Sequence, residues 1–177
     1  MTKIEFFIDY TCPYCEKGFA LYEQLRAKFP QADSLTELIP IEAHPRDEEP
    51  YHRPYADLTA IGALYLKDQG LNIDGYSRSL FAAIHKDKRD PEDIAALAEC
   101  ALASGADAAA FEAALTNGEF AHLLRGANGR AYNDCSVWAV PTLVCGDVRL
   151  DSTEGAGITF SQLEAFLQNV TDRAAES

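Results

Sequence analysis

Residues 3–15, which read KIEFFIDYTCPYC, place two cysteines directly after a short apolar run. Lys3 to Ile8 is rich in residues that favour β-strands, and apolar residues recur at helical spacing over 13–29. Cys12 therefore lies where a strand passes into a helix. A sulfur at that point sits beside unpaired backbone N–H groups and the positive end of the helix dipole, which stabilise a thiolate. The stretch predicts a reactive thiolate at Cys12.

The Cys12-Pro13-Tyr14-Cys15 motif predicts redox chemistry. Cysteine pairs of this spacing at a helix start have thiol pKa values of roughly 3.5 to 7.5, against about 8.5 for a free thiol. Cys12 is the expected nucleophile, and Cys15, one helical turn on and more buried, is expected to resolve the mixed disulfide. Pro13 suits the first helical turn. Tyr14, between the two sulfurs, is expected to modulate thiolate stability and substrate docking.

The rest of the chain predicts the fold class. A second strand is expected over 35–43, which completes a βαβ unit within residues 1–53. Residues 54–134 lose the strand signal and show helices punctuated by Gly and Pro. Residues 135–177 predict a strand, a glycine turn, a returning strand and a closing helix. This α/β outline is a thioredoxin fold with a helical domain inserted between its βαβ and ββα halves.

Length and charge limit the partners. A chain of 177 residues supports one core with an embellishment rather than two domains. The formal net charge of −13 would repel a phosphate backbone, and no Lys/Arg stripe offsets it, so no nucleic acid partner is expected.

No apolar run predicts a membrane span. The N-terminus shows no secretory signal pattern, so we expect a cytoplasmic protein, with a mature exported form as the open alternative.

The five cysteines need separate interpretations. Cys12 and Cys15 form the C-x-x-C, and the sequence offers no second pair or H-x-x-x-H at a usable spacing, so we predict no metal site. Cys100, Cys135 and Cys145 sit in apolar or mixed surroundings and are expected to pack as small core residues. The last two flank a Val-Pro-Thr segment, and an accessory redox role is the alternative for them.

Residues 5–15, the helical insert and residues 140–147, which read VPTLVCGD, together resemble the DsbA-like disulfide oxidoreductases. The resemblance covers nearly the whole chain in order. It implies that a cis peptide bond precedes Pro141, that this proline faces the cysteine pair, and that Val140 offers its backbone to an extended substrate. The early motif is most similar to the cytoplasmic, FrnE-type branch. The Pro-Tyr pair is also similar to that of glutaredoxins, so the direction of exchange stays open.

Thioredoxin-like proteins often bury a carboxylate beneath the second cysteine as a proton relay, and the resemblance makes Glu5 and Asp9 the candidates. Strand alternation puts both on one face. A buried carboxylate would have a raised pKa and could accept the proton of Cys15, whereas the alternative is an exposed acid at a strand end. His44 follows the second predicted strand, so it should share a sheet edge with Cys12, as a substrate contact or as part of a turn. The other histidines, with no stronger signal, are His52, His85 and His122.

The predicted function is that of a thiol-disulfide oxidoreductase acting on protein or small-molecule thiols and disulfides. Its redox group is the cysteine pair itself, with no separate cofactor and with glutathione as a candidate co-substrate. One alternative is a glutathione-dependent transferase or isomerase of the kappa and hydroxychromene-carboxylate isomerase type, which typically has Ser where Cys12 stands. The other is a non-enzymatic thioredoxin-fold binding module. The intact cysteine pair argues against both.

Overall fold

A computed structural model describes residues 2–48 and 53–175 of the chain. Its centre is a four-stranded mixed sheet in the order β2-β1-β3-β4. The first two strands pair in parallel, and the other neighbours pair antiparallel. The strands are β1 (Ile4–Ile8), β2 (Thr36–Pro40), β3 (Thr142–Cys145) and β4 (Val148–Asp151).

Within residues 2–48 and 53–175, three α-helices belong to the two halves of the sheet, and five more lie between β2 and β3 in the sequence. The helix α4 continues into a π-helical turn, Ala82–Lys86, and α7 into another, Arg130–Asp134. This arrangement confirms the predicted α/β class and its thioredoxin fold with helices between the halves. The helices are α1 (Pro13–Leu25), α2 (Pro30–Leu35), α3 (Asp57–Asp68), α4 (Asp74–Phe81), α5 (Ile94–Ala101), α6 (Ala108–Asn117), α7 (Ala121–Gly129) and α8 (Phe160–Ala175).

The second strand is shorter than the predicted 35–43 because the backbone on either side of it forms other hydrogen bonds. Residues 30–35 form α2, since a proline fits the first turn of a helix as well as it ends one. Beyond Pro40, the N–H of Ile41 still donates to Ile8. The next two N–H groups donate to the side chains of Asn128 and Asp9 instead, so the ladder stops.

One hydrophobic core joins the sheet to the inserted helices. Every apolar side chain of β1 is fully buried, as expected for a central strand covered on both faces. The same cluster continues through Tyr76 and Phe81 of α4 to Phe111 of α6. The insert therefore packs on the half of the fold that carries the cysteine pair.

Candidate active site

The cysteine pair lies at the start of α1, directly after the loop that follows β1. Cys12 is the N-cap residue, and its N–H donates to the carbonyl of Asp9 at 3.1 Å. Its own carbonyl accepts from the N–H groups of Cys15 and Glu16 at 3.1 and 3.2 Å. The Cys12 side chain is half-buried, whereas that of Cys15 is fully buried, and both thiols are free. Of these two sulfurs, only that of Cys12 is open to a substrate.

The two thiols have opposite acidities. The pKa of Cys12 is lowered from 9.0 to about 7, chiefly by a hydrogen bond from the Cys15 thiol and also by the backbone N–H groups of Cys15 and Tyr14. Burial and the charge of Asp9 work against this lowering. Burial, reinforced by the neighbouring sulfur, raises the pKa of Cys15 well above its ordinary value. The pair thus has the asymmetry of an attacking thiolate beside a protonated partner.

Asp9 is the buried carboxylate that lies nearest to the two cysteines in the sequence. It is 2% exposed, and its backbone N–H donates to Cys15 Sγ at 3.3 Å. The carboxylate accepts from the Thr11 N–H and hydroxyl, both at 2.7 Å, and from the Ala43 N–H at 2.8 Å. Burial raises the pKa of Asp9, while these hydrogen bonds and the charge of His44 hold it down. The carboxylate in turn raises the pKa values of both cysteines.

Glu5 lies elsewhere, which corrects its predicted place beside the cysteines. It is four residues before Asp9 on an extended strand, roughly 13 Å away at about 3.3 Å per residue. Its carboxylate forms a bidentate ion pair with Arg130, at 2.7 and 2.8 Å. The partner is supplied by the π-helical turn after α7. A carboxylate held in that way does not reach the proton of Cys15.

Val140 and Pro141 face the cysteine pair from the segment before β3. The Cys12 Sγ lies 3.8 Å from the Val140 carbonyl oxygen, and the peptide bond between Val140 and Pro141 is cis. Pro141 is buried against α1 at Gly18, where an added β-carbon would stand 2.9 Å from the proline Cγ. The glycine therefore sets how closely this segment approaches the motif.

The residues inside the motif are partly open to solvent. Pro13 is exposed and Tyr14 is half-buried. The Tyr14 ring packs against Gly157, where an added β-carbon would stand 3.1 Å from the ring. Lys17 Nζ lies 5.7 Å from the centre of the same ring. The Tyr14 side chain is thus held between the segment around Gly157 and Lys17 of α1.

His44 and His85 approach the site from different elements. His44 is exposed after β2, and its charge lowers the pKa of Asp9. His85 was not singled out by the sequence, yet its Nε2 donates to the Tyr10 carbonyl at 2.8 Å, two residues before Cys12. The contact spans 75 positions, so no local pattern could have revealed it. His52 lies outside the described residues.

The other three cysteines are not activated. Burial raises the pKa values of Cys100, Cys135 and Cys145, so each is a poorer nucleophile than an ordinary thiol at neutral pH. Cys135 Sγ lies 3.7 Å from the Glu5 carboxylate, and Cys145 Sγ lies 3.6 Å from the Thr2 carbonyl. These surroundings fit packing rather than attack.

Residues 2–48 and 53–175 lack two further features. None of the helices there is both long enough and apolar enough to cross a membrane. Across the same ranges, no three His, Cys, Asp or Glu side chains converge to hold a metal ion.

Proteins of known sequence or known structure are similar to this chain. The uncharacterized protein YwbO of Bacillus subtilis is 25% identical over 187 positions, covering 88% of this chain and 92% of YwbO. A probable DsbA oxidoreductase from Streptomyces coelicolor has a TM-score of 0.77 and 18% identity, over 100% of this chain and 92% of its own. Proteus mirabilis DsbA, solved with the non-covalently bound peptide PWATCDS, has a TM-score of 0.65 and 13% identity, over 100% and 90%.

A family model described as a DSBA-like thioredoxin domain matches residues 3–168, and this range includes all four strands and the cysteine pair. The chain belongs to the DSBA-like thioredoxin domain family.

Proposed function

We propose that the chain is a thiol-disulfide oxidoreductase that exchanges disulfides through Cys12 and Cys15. The observation that carries the proposal is the contrast between the two thiols. Cys12 is half-exposed and its thiol has a pKa of about 7, whereas Cys15 is buried and its thiol has a raised pKa. At neutral pH about half of the Cys12 population would be thiolate, which is the form that attacks a disulfide.

In the reducing direction, the Cys12 thiolate attacks one sulfur of a substrate disulfide. The substrate S–S bond breaks, a mixed disulfide forms at Cys12, and the first substrate thiolate leaves and takes a proton. Cys15 then loses its proton and attacks the Cys12 sulfur, which releases the second substrate thiol. The substrate gains two electrons and two protons, and the pair ends as a disulfide. The oxidising direction is the reverse sequence.

The surrounding residues have proposed roles in the second step and in docking. Asp9 is the candidate acceptor of the Cys15 proton, because it is a buried carboxylate whose backbone already contacts that sulfur. Val140 is proposed to present its backbone to an extended substrate, because its carbonyl lies beside Cys12. His44, exposed at the same edge, is a candidate substrate contact.

The proposed partners are protein thiols and disulfides. Proteus mirabilis DsbA, which shares the fold, binds a cysteine-containing peptide, and this supports a polypeptide substrate for the present chain. The proposal needs no cofactor beyond the pair. Glutathione is proposed as a small-molecule co-substrate, and equilibration of the pair against defined glutathione ratios would measure its potential and so the favoured direction.

Insulin-disulfide reduction and oxidative refolding of a reduced protein test the proposal. Cys12→Ser should abolish both activities, and Cys15→Ser should accumulate a mixed disulfide at Cys12. Cys145→Ser is the matched control, because it removes a thiol whose pKa is raised, and it should retain activity. Full turnover by Cys12→Ser, or an adduct confined to Cys135 or Cys145, would overturn the assignment.

A further inference from the structure

The edge strand β4 carries an ion pair that reaches the segment before β3, residues 135–141. Arg149 and Asp151 are two positions apart in β4, so strand alternation places both side chains on one face of the sheet. The guanidinium binds the carboxylate twice, with Nε 2.7 Å from one oxygen and Nη2 2.5 Å from the other. This bidentate geometry fixes the orientation of the guanidinium as well as its position.

The same guanidinium holds the start of the segment. Arg149 Nη1 donates to the Cys135 carbonyl at 2.9 Å, and Nη2 donates to the Ser136 carbonyl at 3.4 Å. These carbonyls belong to the two peptide groups on either side of the Ser136 α-carbon. Ser136 has a φ of 51°, in the left-handed region that a residue with a β-carbon rarely adopts. Such a backbone persists where surrounding contacts enforce it, and Arg149 supplies two of them.

The carboxylate of the pair contacts the end of the segment through Thr142. Thr142 is fully buried and lies directly opposite Asp151 in the antiparallel ladder, so the two side chains are neighbours. The Thr142 hydroxyl donates to the Ala139 carbonyl at 2.8 Å, with an Asp151 carboxylate oxygen 3.2 Å away as a second acceptor. The hydrogen bond and charge of Arg149 lower the pKa of Asp151, so the ion pair is intact at neutral pH.

The backbone that faces the nucleophile lies between these two ends. The Val140 carbonyl oxygen is 3.8 Å from Cys12 Sγ, and Val140 directly follows the residue whose carbonyl Thr142 holds. The position of this carbonyl relative to the Cys12 sulfur therefore depends on contacts made by the edge strand.

We propose that Arg149 and Asp151 are positioning residues that set the Val140 backbone for a polypeptide disulfide. The inference rests on the docking role proposed above for Val140. A substrate whose backbone extends past its cysteine needs the Val140 backbone in one place, whereas a small disulfide without a peptide backbone needs only the Cys12 thiolate. Misplacing a docking group slows a reaction because the reacting atoms are aligned less often. An ion pair as exposed as this one contributes little to the stability of the whole fold, so its variants are expected to fold.

The test compares two disulfides in the Cys15→Ser background, in which the reaction stops at the mixed disulfide with Cys12. The probes are hydroxyethyl disulfide and the disulfide-linked dimer of acetyl-AAACAAA-amide. In each reaction the Cys12 thiolate displaces one thiolate from the probe, and chromatography of acid-quenched samples gives the second-order rate constant. Arg149→Met should slow the reaction with the peptide dimer by about tenfold and that with hydroxyethyl disulfide by less than about twofold.

Thr142 provides a second, nearly isosteric test. Thr142→Val removes the hydroxyl that holds the Ala139 carbonyl and should cause the same selective loss with the peptide dimer. Thr142→Ser keeps the hydroxyl and should react with both probes as the background protein does. Loss of the peptide reaction in Thr142→Val and Thr142→Ser alike would contradict a role for this hydrogen bond.

Arg173→Met is the matched control for Arg149→Met. Arg173 also forms an exposed ion pair with the β3–β4 hairpin, 2.7 Å from Asp147 in its turn, so the same charge is removed. It should leave the ratio of the two rate constants unchanged. Equal slowing with both probes in Arg149→Met, or the same ratio in Arg149→Met and Arg173→Met, would overturn the inference alone. If Cys12 of the background protein reacted with neither probe, the proposed function would fail and the inference with it.

Discussion

The thiols of Cys12 and Cys15 are one helical turn apart, yet their environments separate their pKa values. The lowered pKa of Cys12, about 7 instead of 9.0, places its titration at neutral pH. We predict that alkylation of the reduced protein by iodoacetamide follows a midpoint near pH 7 and slows about tenfold for each pH unit below it. Mass spectrometry should locate the adduct on Cys12. A midpoint near 9 would contradict the asymmetry.

Asp9→Asn tests the buried carboxylate. The two carboxylate oxygens accept from the Thr11 and Ala43 N–H groups, and an amide can offer only one acceptor, so one donor loses its partner. We expect a loss of about 1–3 kcal/mol in the free energy of unfolding, measured in urea. Removing the negative charge should also lower the pKa of Cys12, because that charge raises it.

The alkylation profile separates this effect from simple loss of stability. The midpoint of Asp9→Asn should lie below that of the unaltered protein. An unchanged midpoint in a folded variant would show that Asp9 only supports the loop.

At the residue scale, the sequence predicted the features that depend on residues nearby in the chain. Cys12 follows from a strand, a proline and a helix within residues 3–29, all of which are local. The position of Glu5 could not be settled in that way, because its partner Arg130 is 125 residues later. The contact of His85 with Tyr10 was missed for the same reason, since it is made by two elements that only the tertiary fold brings together.

At the element scale, α1 and the segment before β3 meet at Gly18. An added β-carbon would come within 2.9 Å of a ring atom of Pro141, which cannot rotate away as a flexible side chain can. Gly18→Ala should therefore destabilise the protein by about 1–3 kcal/mol through overpacking and should slow disulfide exchange by shifting Pro141 relative to Cys12. Urea unfolding and the insulin assay measure the two effects.

Gly126→Ala is the matched control for that substitution. Gly126 also lies inside a helix, α7, but an added β-carbon there meets nothing within 4 Å. Alanine favours the helix over glycine, so a gain of up to about 1 kcal/mol is expected. If both substitutions changed stability equally, close packing at Gly18 would not be the cause.

Element boundaries were less predictable than element order. The alternation over 35–43 suggested one strand, whereas β2 occupies only Thr36–Pro40. Its end is decided by Asn128 and Asp9, which capture the N–H groups that would otherwise continue the ladder. Propensity is local, but the partner of each backbone N–H is a property of the whole fold.

At the scale of the whole molecule, the insert and the cysteine loop are joined through Tyr10. This side chain is fully buried, its hydroxyl is 2.8 Å from that of Ser77 on α4, and its ring contacts Tyr76 and Phe81. Ser77→Ala and Tyr10→Phe should each lower the free energy of unfolding by about 1–3 kcal/mol, because each leaves a buried hydroxyl unpaired.

The double variant should lose less than the sum of the two single losses, since it leaves neither hydroxyl behind. Ser34→Ala, which removes an exposed hydroxyl, is expected to change stability by no more than about 0.5 kcal/mol. Strict additivity of Ser77→Ala and Tyr10→Phe would mean that the hydrogen bond does not link the two parts.

The contacts between the insert and Tyr10 have a consequence for building chimeras within this family. The insert holds the residue two positions before the nucleophile by its hydroxyl, its ring and its carbonyl, the last through His85. A helical region grafted from another family member would need to bring its own hydroxyl, aromatic surface and imidazole to the same three points. The insert and the cysteine motif are therefore expected to be exchangeable between family members only together. A graft of either one alone would leave the loop before Cys12 without these three contacts.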